Sequence, residues 1–159
     1  MQPAGKFLRR AATLTAALIL FGCGTPKTSS GEFSKLTEDF VYGSLALSPV
    51  SATQVGYHTH NGASLDAALD DVSPAGIAAQ RRFVMGIQSR VAALDAASLA
   101  KEEAADLEVI RNNIGTSLLE LDSIQSYKHN PTQYVELAGN ALFECYMLDY
   151  APIEKRFGH

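Results

Sequence analysis

Leu107, Ile110, Ile114, Leu118 and Leu121 recur at intervals of three and four residues. This is the spacing of one face of an α-helix, and it does not fit the two-residue alternation of a half-buried strand. A stripe of this length has to meet another apolar surface, because left open it would aggregate. Three further stripes repeat the pattern. The first runs through Phe33, Leu36, Phe40, Gly43/Ser44 and Leu47, the second through Ile77, Val84, Ile87, Val91 and Leu94, and the third through Tyr134, Ala138, Ala141, Cys145 and Leu148. Local signals bound them. Ser73-Pro74 and Asn130-Pro131 each place a capping side chain before a proline that suits the first helical position. Pro49 ends the first helix, because the residue before a proline avoids the α region.

The spacing predicts helices over about 32–47, from 74 to 94, over about 99–126 as the longest, and from 131 onward. Short turns over 49–55 stop at Gly56, a polar connection covers 57–72 with a turn at Asn61-Gly62, and a break falls near 95–98. Ala151-Pro152 restarts the chain toward Phe157 with a helical turn that does not finish. The expected fold class is all-α, an antiparallel bundle of about four to five helices.

The N-terminus carries a different kind of information. Lys6, Arg9 and Arg10 precede an uncharged apolar run from Ala11 to Gly22, too short to span a bilayer and suited to an export signal. The run ends Leu20-Phe21-Gly22-Cys23, which resembles a bacterial lipobox. The reading is a lipoprotein signal peptide over 1–22, lipidation of Cys23, a flexible tether over 23–31 (breaker-rich, TPKTSSG), and a helical domain over 32–159. Cleavage before Cys23 leaves 137 of 159 residues and removes three basic and no acidic side chains, so the net charge moves from −4 to −7. An acidic exported domain with no basic cluster argues against nucleic acid and against direct binding to anionic lipid, so membrane attachment is expected through the lipid on Cys23 alone. The expected location is the periplasmic face or cell exterior, and Gly24, where an Asp would signal inner-membrane retention, favours the outer membrane.

Candidate chemistry is sparse. His58-Thr59-His60 sets two imidazoles two residues apart, with Asp66, Asp70 and Asp71 following, and His58 and His60 are the weak candidates for metal ligation. A zinc site needs three or four placed ligands, so the commoner outcome is a loop with solvated or backbone-bonded histidines. His129 reads as a cation at the end of the long helix. Cys145 reads as a buried, inert thiol without a disulfide partner, Glu136 and Glu144 as solvated helix-face carboxylates, and Arg81/Arg82 as surface residues able to clamp a carboxylate. No His is followed by Glu, and no Gly-x-Ser-x-Gly elbow, phosphate loop or dinucleotide fingerprint occurs. The residues alone assign no catalytic group and no cofactor.

From about Phe33 to Phe157 the order of motifs resembles the bacterial domain-of-unknown-function family 885. The pieces are Phe33-x-x-Leu36, Pro49-x-x-Ala52-Thr53-x-x-Gly56-Tyr57-His58, Leu69-x-Asp71-x-Ser73, Asp106-Leu107, Asn130-Pro131-x-x-Tyr134, and Pro152 with Arg156. The resemblance implies a helical, exported or lipidated protein much longer than this chain. It also implies a relation to zinc-dependent hydrolases of peptidase type, with a His-Glu metal helix in the later part of the domain. The sequence stops before such a helix, so the expectation is an N-terminal portion, inactive alone, that meets a peptide-like substrate only together with the missing part. The other reading is a stand-alone, lipid-anchored binding or scaffold module.

Replacing Cys23 with Ser is expected to move the protein from the membrane to the soluble fraction on cell fractionation; unchanged membrane retention would overturn the lipobox reading.

Overall fold

The computed structural model describes residues 27–158. The signal segment, Cys23 and the first part of the tether lie outside the described residues. The described chain is all-helical apart from one two-residue hairpin: α1 (Lys27–Leu47), α2 (Pro49–Gln54), β1 (Thr59–His60), β2 (Ala63–Ser64), α3 (Pro74–Ala93), α4 (Lys101–Leu119), α5 (Ser126–His129), α6 (Pro131–Met147) and α7 (Ile153–Arg156).

The capping signals work as read. Ser73 Oγ accepts the Gly76 N–H at 3.2 Å, and Asn130 Oδ1 accepts the Thr132 N–H at 3.2 Å, each with proline at the first helical position. Pro49 separates α1 from α2, and Gly56 closes α2 at φ +81°. Asn61 and Gly62 both take positive φ (47° and 80°), as a tight hairpin between β1 and β2 requires.

Two boundaries differ from the prediction. Residues 27–31, expected as tether, form the opening turns of α1. No proline interrupts 27–47, and the Ser30 hydroxyl donates to Glu103 at the start of α4, which gives this polar stretch a partner. Glu103 also accepts the Ala100 N–H at 3.0 Å, and the two bonds hold its carboxyl below the usual carboxylate range. The second difference is that the helix predicted over 99–126 is not continuous. A 3-10 turn occupies Ala96–Ser98, α4 starts at Lys101, and a π-turn over Glu120–Ile124 follows Leu119. The Gln125 N–H reaches back to the Glu120 carbonyl at 2.7 Å, Gln125 turns left-handed at φ 55°, and the Glu120 carboxylate takes the Ser126 N–H at 2.8 Å. A glutamate side chain thus caps the next turn where periodicity alone would continue the helix.

The core lies where α1, α3 and α4 meet. Phe33, Leu36, Ile87, Val91, Leu107, Ile110 and Ile114 form one buried cluster, with Phe40, Phe83, Val84, Leu94 and Leu118 packed against it. Gly43 sits on the α1 face toward α3, where a Cβ would lie 2.4 Å from the Phe83 ring. The helices approach this closely only because that side chain is missing. Two ion pairs lace the rim: Arg90 to Asp39 at 2.8 Å, and Arg81 to Asp122 with bonds of 2.7 and 3.1 Å. Arg81 is thereby a clamp for the chain's own Asp122, while Arg82 is exposed.

The fourth stripe does not join this core. α6 packs instead against α2, α5 and α7. Tyr134 and Ala138 are exposed, and Ala141, Cys145 and Leu148 are only half-buried. Val135, Leu142, Phe143, Tyr146 and Met147 face outward. The one fully buried residue of α6 is Glu144. The structure corrects two expectations here: the stripe is not a closed bundle seam, and Glu144 is not a solvated carboxylate.

Leu107, at 1% exposure, is expected to lose about 2–5 kcal/mol of stability on replacement by Ala. Its neighbour Val109, at 57% exposure, should change stability by no more than about 0.5 kcal/mol on the same replacement. Denaturant titration of the two variants makes the comparison.

Candidate functional site

α2 and α6 bracket a pocket of about 460 Å³ that is completed by the segment after β2 and by the residues beyond α6. α2 supplies Val50 and Thr53; the connection supplies Asp66 and Leu69; α6 supplies Ala138, Ala141, Leu142, Glu144 and Cys145; Tyr150, Arg156 and Phe157 close the far side. The volume lies in the range of small-molecule sites, and the pattern of apolar walls with a few convergent polar groups is that of a ligand pocket.

Each polar group is placed by a local feature. The turn at Asn61-Gly62 folds the chain back so that Asp66 reaches α2, where it accepts the Thr53 hydroxyl at 2.9 Å. The same Asp66 oxygen lies 2.7 Å from His58 Nδ1. A carboxylate on Nδ1 orients the imidazole. The His58 ring stacks on Tyr150, with centroids 5.3 Å apart and planes at 27°. Burial, together with the Cys145 thiol 3.8 Å from its hydroxyl, pushes the Tyr150 phenol up to about 12, so it is a neutral group at neutral pH.

Asp70 accepts the Val50 N–H at 3.1 Å near the start of α2. Burial outweighs this bond and the one from Ser48, so its carboxyl is held above the usual carboxylate range. Glu144 is raised as well, chiefly by burial and then by the negative charge of Asp70. Arg156, 7% exposed, closes the end of α6. Its Nη1 donates to the carbonyls of Leu148 (2.6 Å), Cys145 (3.2 Å) and Tyr146 (3.4 Å), and its Nη2 pairs with Asp149 at 3.0 Å. A cation on these carbonyls satisfies the helix end and complements its partial negative charge.

The residues singled out in the sequence divide clearly. His58 enters the pocket wall network through Asp66. His60 turns away: its Nδ1 lies 2.8 Å from the Tyr57 hydroxyl and its Nε2 3.1 Å from the Asn61 amide. Asp71 caps the approach to α3 by accepting the Ser73 N–H at 2.9 Å. Of the three acids after the histidines, only Asp66 meets His58. Among the described residues no group of three or more His, Cys, Asp or Glu side chains is arranged to hold a metal ion. His58 and His60 thus turn to different partners, Asp66 for the first and Tyr57 and Asn61 for the second. His129 ends α5, Glu136 is exposed on α6, and Cys145 is half-buried beside Tyr150. Sequence reasoning missed Glu144 as a buried group, and it missed the joint placement of Tyr150 and Arg156 with the loop acids. Pro152 and Arg156 were visible only as motif residues.

The all-helical fold agrees with the sequence resemblance. The profile described as a bacterial protein of unknown function (DUF885) matches residues 49–156, and the chain belongs to that family. The match starts at Pro49, the first residue of α2, and takes in every pocket residue except Phe157. Phe33-x-x-Leu36 of α1 lies outside it. No curated protein and no solved structure matches the chain.

Folding raises the Glu144 pKa above its ordinary 4.5, so the native state holds this proton more tightly than the unfolded chain. The associated stability is full below the unfolded value and is lost as the pH rises through the raised one; Asp70 acts with the same sign. Glu144→Gln is therefore expected to raise Tm at pH 7, with an advantage that shrinks toward pH 4. A Tm difference that does not vary with pH would overturn this.

Proposed function

We propose that this chain is the N-terminal helical segment of an exported, lipid-anchored bacterial hydrolase of peptidase type, and that it forms one wall of the substrate cleft. The observation that carries the reading is the pocket between α2 and α6, whose polar floor lies beneath a rim of exposed apolar side chains. Leu69, Leu142 and Phe157 line it and are 59%, 73% and 62% exposed. Val135, Phe143, Tyr146 and Met147 extend this apolar surface along α6. Surfaces of this kind mark places where a ligand or partner surface binds. In this reading the described helices bind and orient a substrate, and zinc, water activation and turnover belong to a later His-Glu helix.

The lipid on Cys23 would hold the segment at the membrane, as the order Lys6/Arg9/Arg10, apolar run and Cys23 suggests. Among the described residues no helix is long and apolar enough to cross a membrane. A second reading, a stand-alone lipid-anchored binding module, is favoured by the α1/α3/α4 core, which buries its own apolar cluster without α6.

Source DNA beyond His159 separates the two readings. An in-frame continuation carrying a His-Glu helix is expected, with the longer product cleaving chromogenic peptides, a chelator abolishing that cleavage, and residues 1–159 alone inactive. A stop codon directly after His159 overturns the hydrolase reading and leaves the binding module.

A further inference from the structure

We propose that a second cavity, between α1, α3 and the β1–β2 hairpin, is an aromatic cage for a methylated ammonium group, with Tyr42, Tyr57, Phe83 and His60 as its rings and Glu38 as its carboxylate. The cavity has a volume of about 620 Å³ and shares no lining residue with the pocket between α2 and α6. This is room for a trimethylammonium head and for the small group that carries it.

Local features bring the rings together. Glu38, Tyr42 and Gly43 lie about one turn apart on α1 and share a face. Gly43 has no side chain, so the Phe83 ring of α3 lies directly against the helix at that point. Tyr57 follows α2, where its N–H donates to the Ala52 carbonyl at 2.8 Å. Its hydroxyl lies 2.8 Å from His60 Nδ1 across the hairpin. Tyr42 and Tyr57 have ring centroids 5.0 Å apart with planes at 37°, and Tyr57 meets the His60 ring edge-on at 6.0 Å and 67°. Tyr57 is thus tied at its backbone and at its hydroxyl, and the cluster is formed without a ligand, which lowers the cost of binding one. Tyr42 remains 46% exposed.

The chemistry of the lining selects the ligand. Aromatic faces carry the negative part of a quadrupole and attract cations. The lining also holds Glu38 and Asp39 and neither lysine nor arginine. Asp39 is paired with Arg90 at 2.8 Å, whereas Glu38 is exposed and forms no ion pair among the described residues. An anion would face ring electrons and a carboxylate. A primary ammonium is strongly hydrated and asks for an acceptor on each N–H, while this lining offers mostly rings. A methylated ammonium keeps the charge behind methyl groups, so rings can replace its weakly held water.

This site stands apart from the hydrolase reading, and the failure of either leaves the other. The test is isothermal titration of the full chain in neutral detergent, with the detergent alone as blank. The probes are choline, its uncharged isostere 3,3-dimethyl-1-butanol, and ethanolamine. Saturable binding of choline is expected, with the isostere and ethanolamine weaker by about fivefold or more. Tyr42→Leu should weaken choline by a similar factor, Tyr42→Phe should restore it, and Tyr146→Leu, at an exposed site on α6, should leave it unchanged. The proposal is overturned by absence of saturable choline binding, by the isostere or ethanolamine binding equally well, by unchanged affinity in Tyr42→Leu, or by an equal loss in Tyr146→Leu. The comparison of probes on the unmodified protein stands even where a variant fails to fold. Tighter binding of glycerophosphocholine than of choline assigns the site to lipid headgroups, and the reverse assigns it to free methylated amines.

Discussion

The apolar seam shared by α1, α3 and α4 is the constraint on which the rest of the structure depends. Leu36 and Leu107 are each only 1% exposed, and the cluster around them draws on three helices that are far apart in sequence. Closing that seam fixes the ends of α1 and α3. α2 then starts one residue after α1, at Pro49, so the floor of the pocket is set by where the core leaves the chain. Nothing comparable holds α6. Its contacts are with short elements, and the Arg156 guanidinium bonds its last carbonyls. The fold thus has a closed side, which confers stability, and an open side, which carries the candidate site.

The site illustrates how burial changes the meaning of a residue. Glu144 and Glu136 are eight positions apart on one helix and look alike in sequence. In the structure Glu136 is solvated, whereas Glu144 is enclosed beside α2 and the loop that carries Asp66 and Asp70. The raised carboxyl of Glu144, the Tyr150 phenol and Asp66, which orients His58, line one cavity, and the charge of Asp70 beyond its wall raises Glu144 further. Perturbed acids gathered in a concave site are a mark of function, though ion-pair networks produce them too.

Much of the architecture was legible because its causes are local. Ser73-Pro74, Asn130-Pro131, Pro49 and Asn61-Gly62 act within a few residues through capping bonds, a fixed φ or a left-handed turn, and each appears where it was read. The stripes on α3 and α4 were legible because their spacing matched the helix repeat and a partner surface existed. The reading failed where a side chain supplied a bond that periodicity does not show, once from a distant residue and once from six residues away. Ser30 found Glu103, and helix extended into the expected tether; Glu120 capped Ser126, and the predicted long helix broke into a π-turn and α5.

From sequence alone, helix positions, the family and the acidic charge balance were determined, since propensity, capping and composition are properties of neighbouring residues. Only the tertiary structure decided that His58 pairs with Asp66 while His60 faces Tyr57, and that the α6 stripe remains open. It alone also decided that Glu144 is buried while Glu136 of the same helix is exposed. These outcomes depend on how α2, the hairpin connection and α6 are brought together, and the energy of a charge is set by the groups that surround it in space.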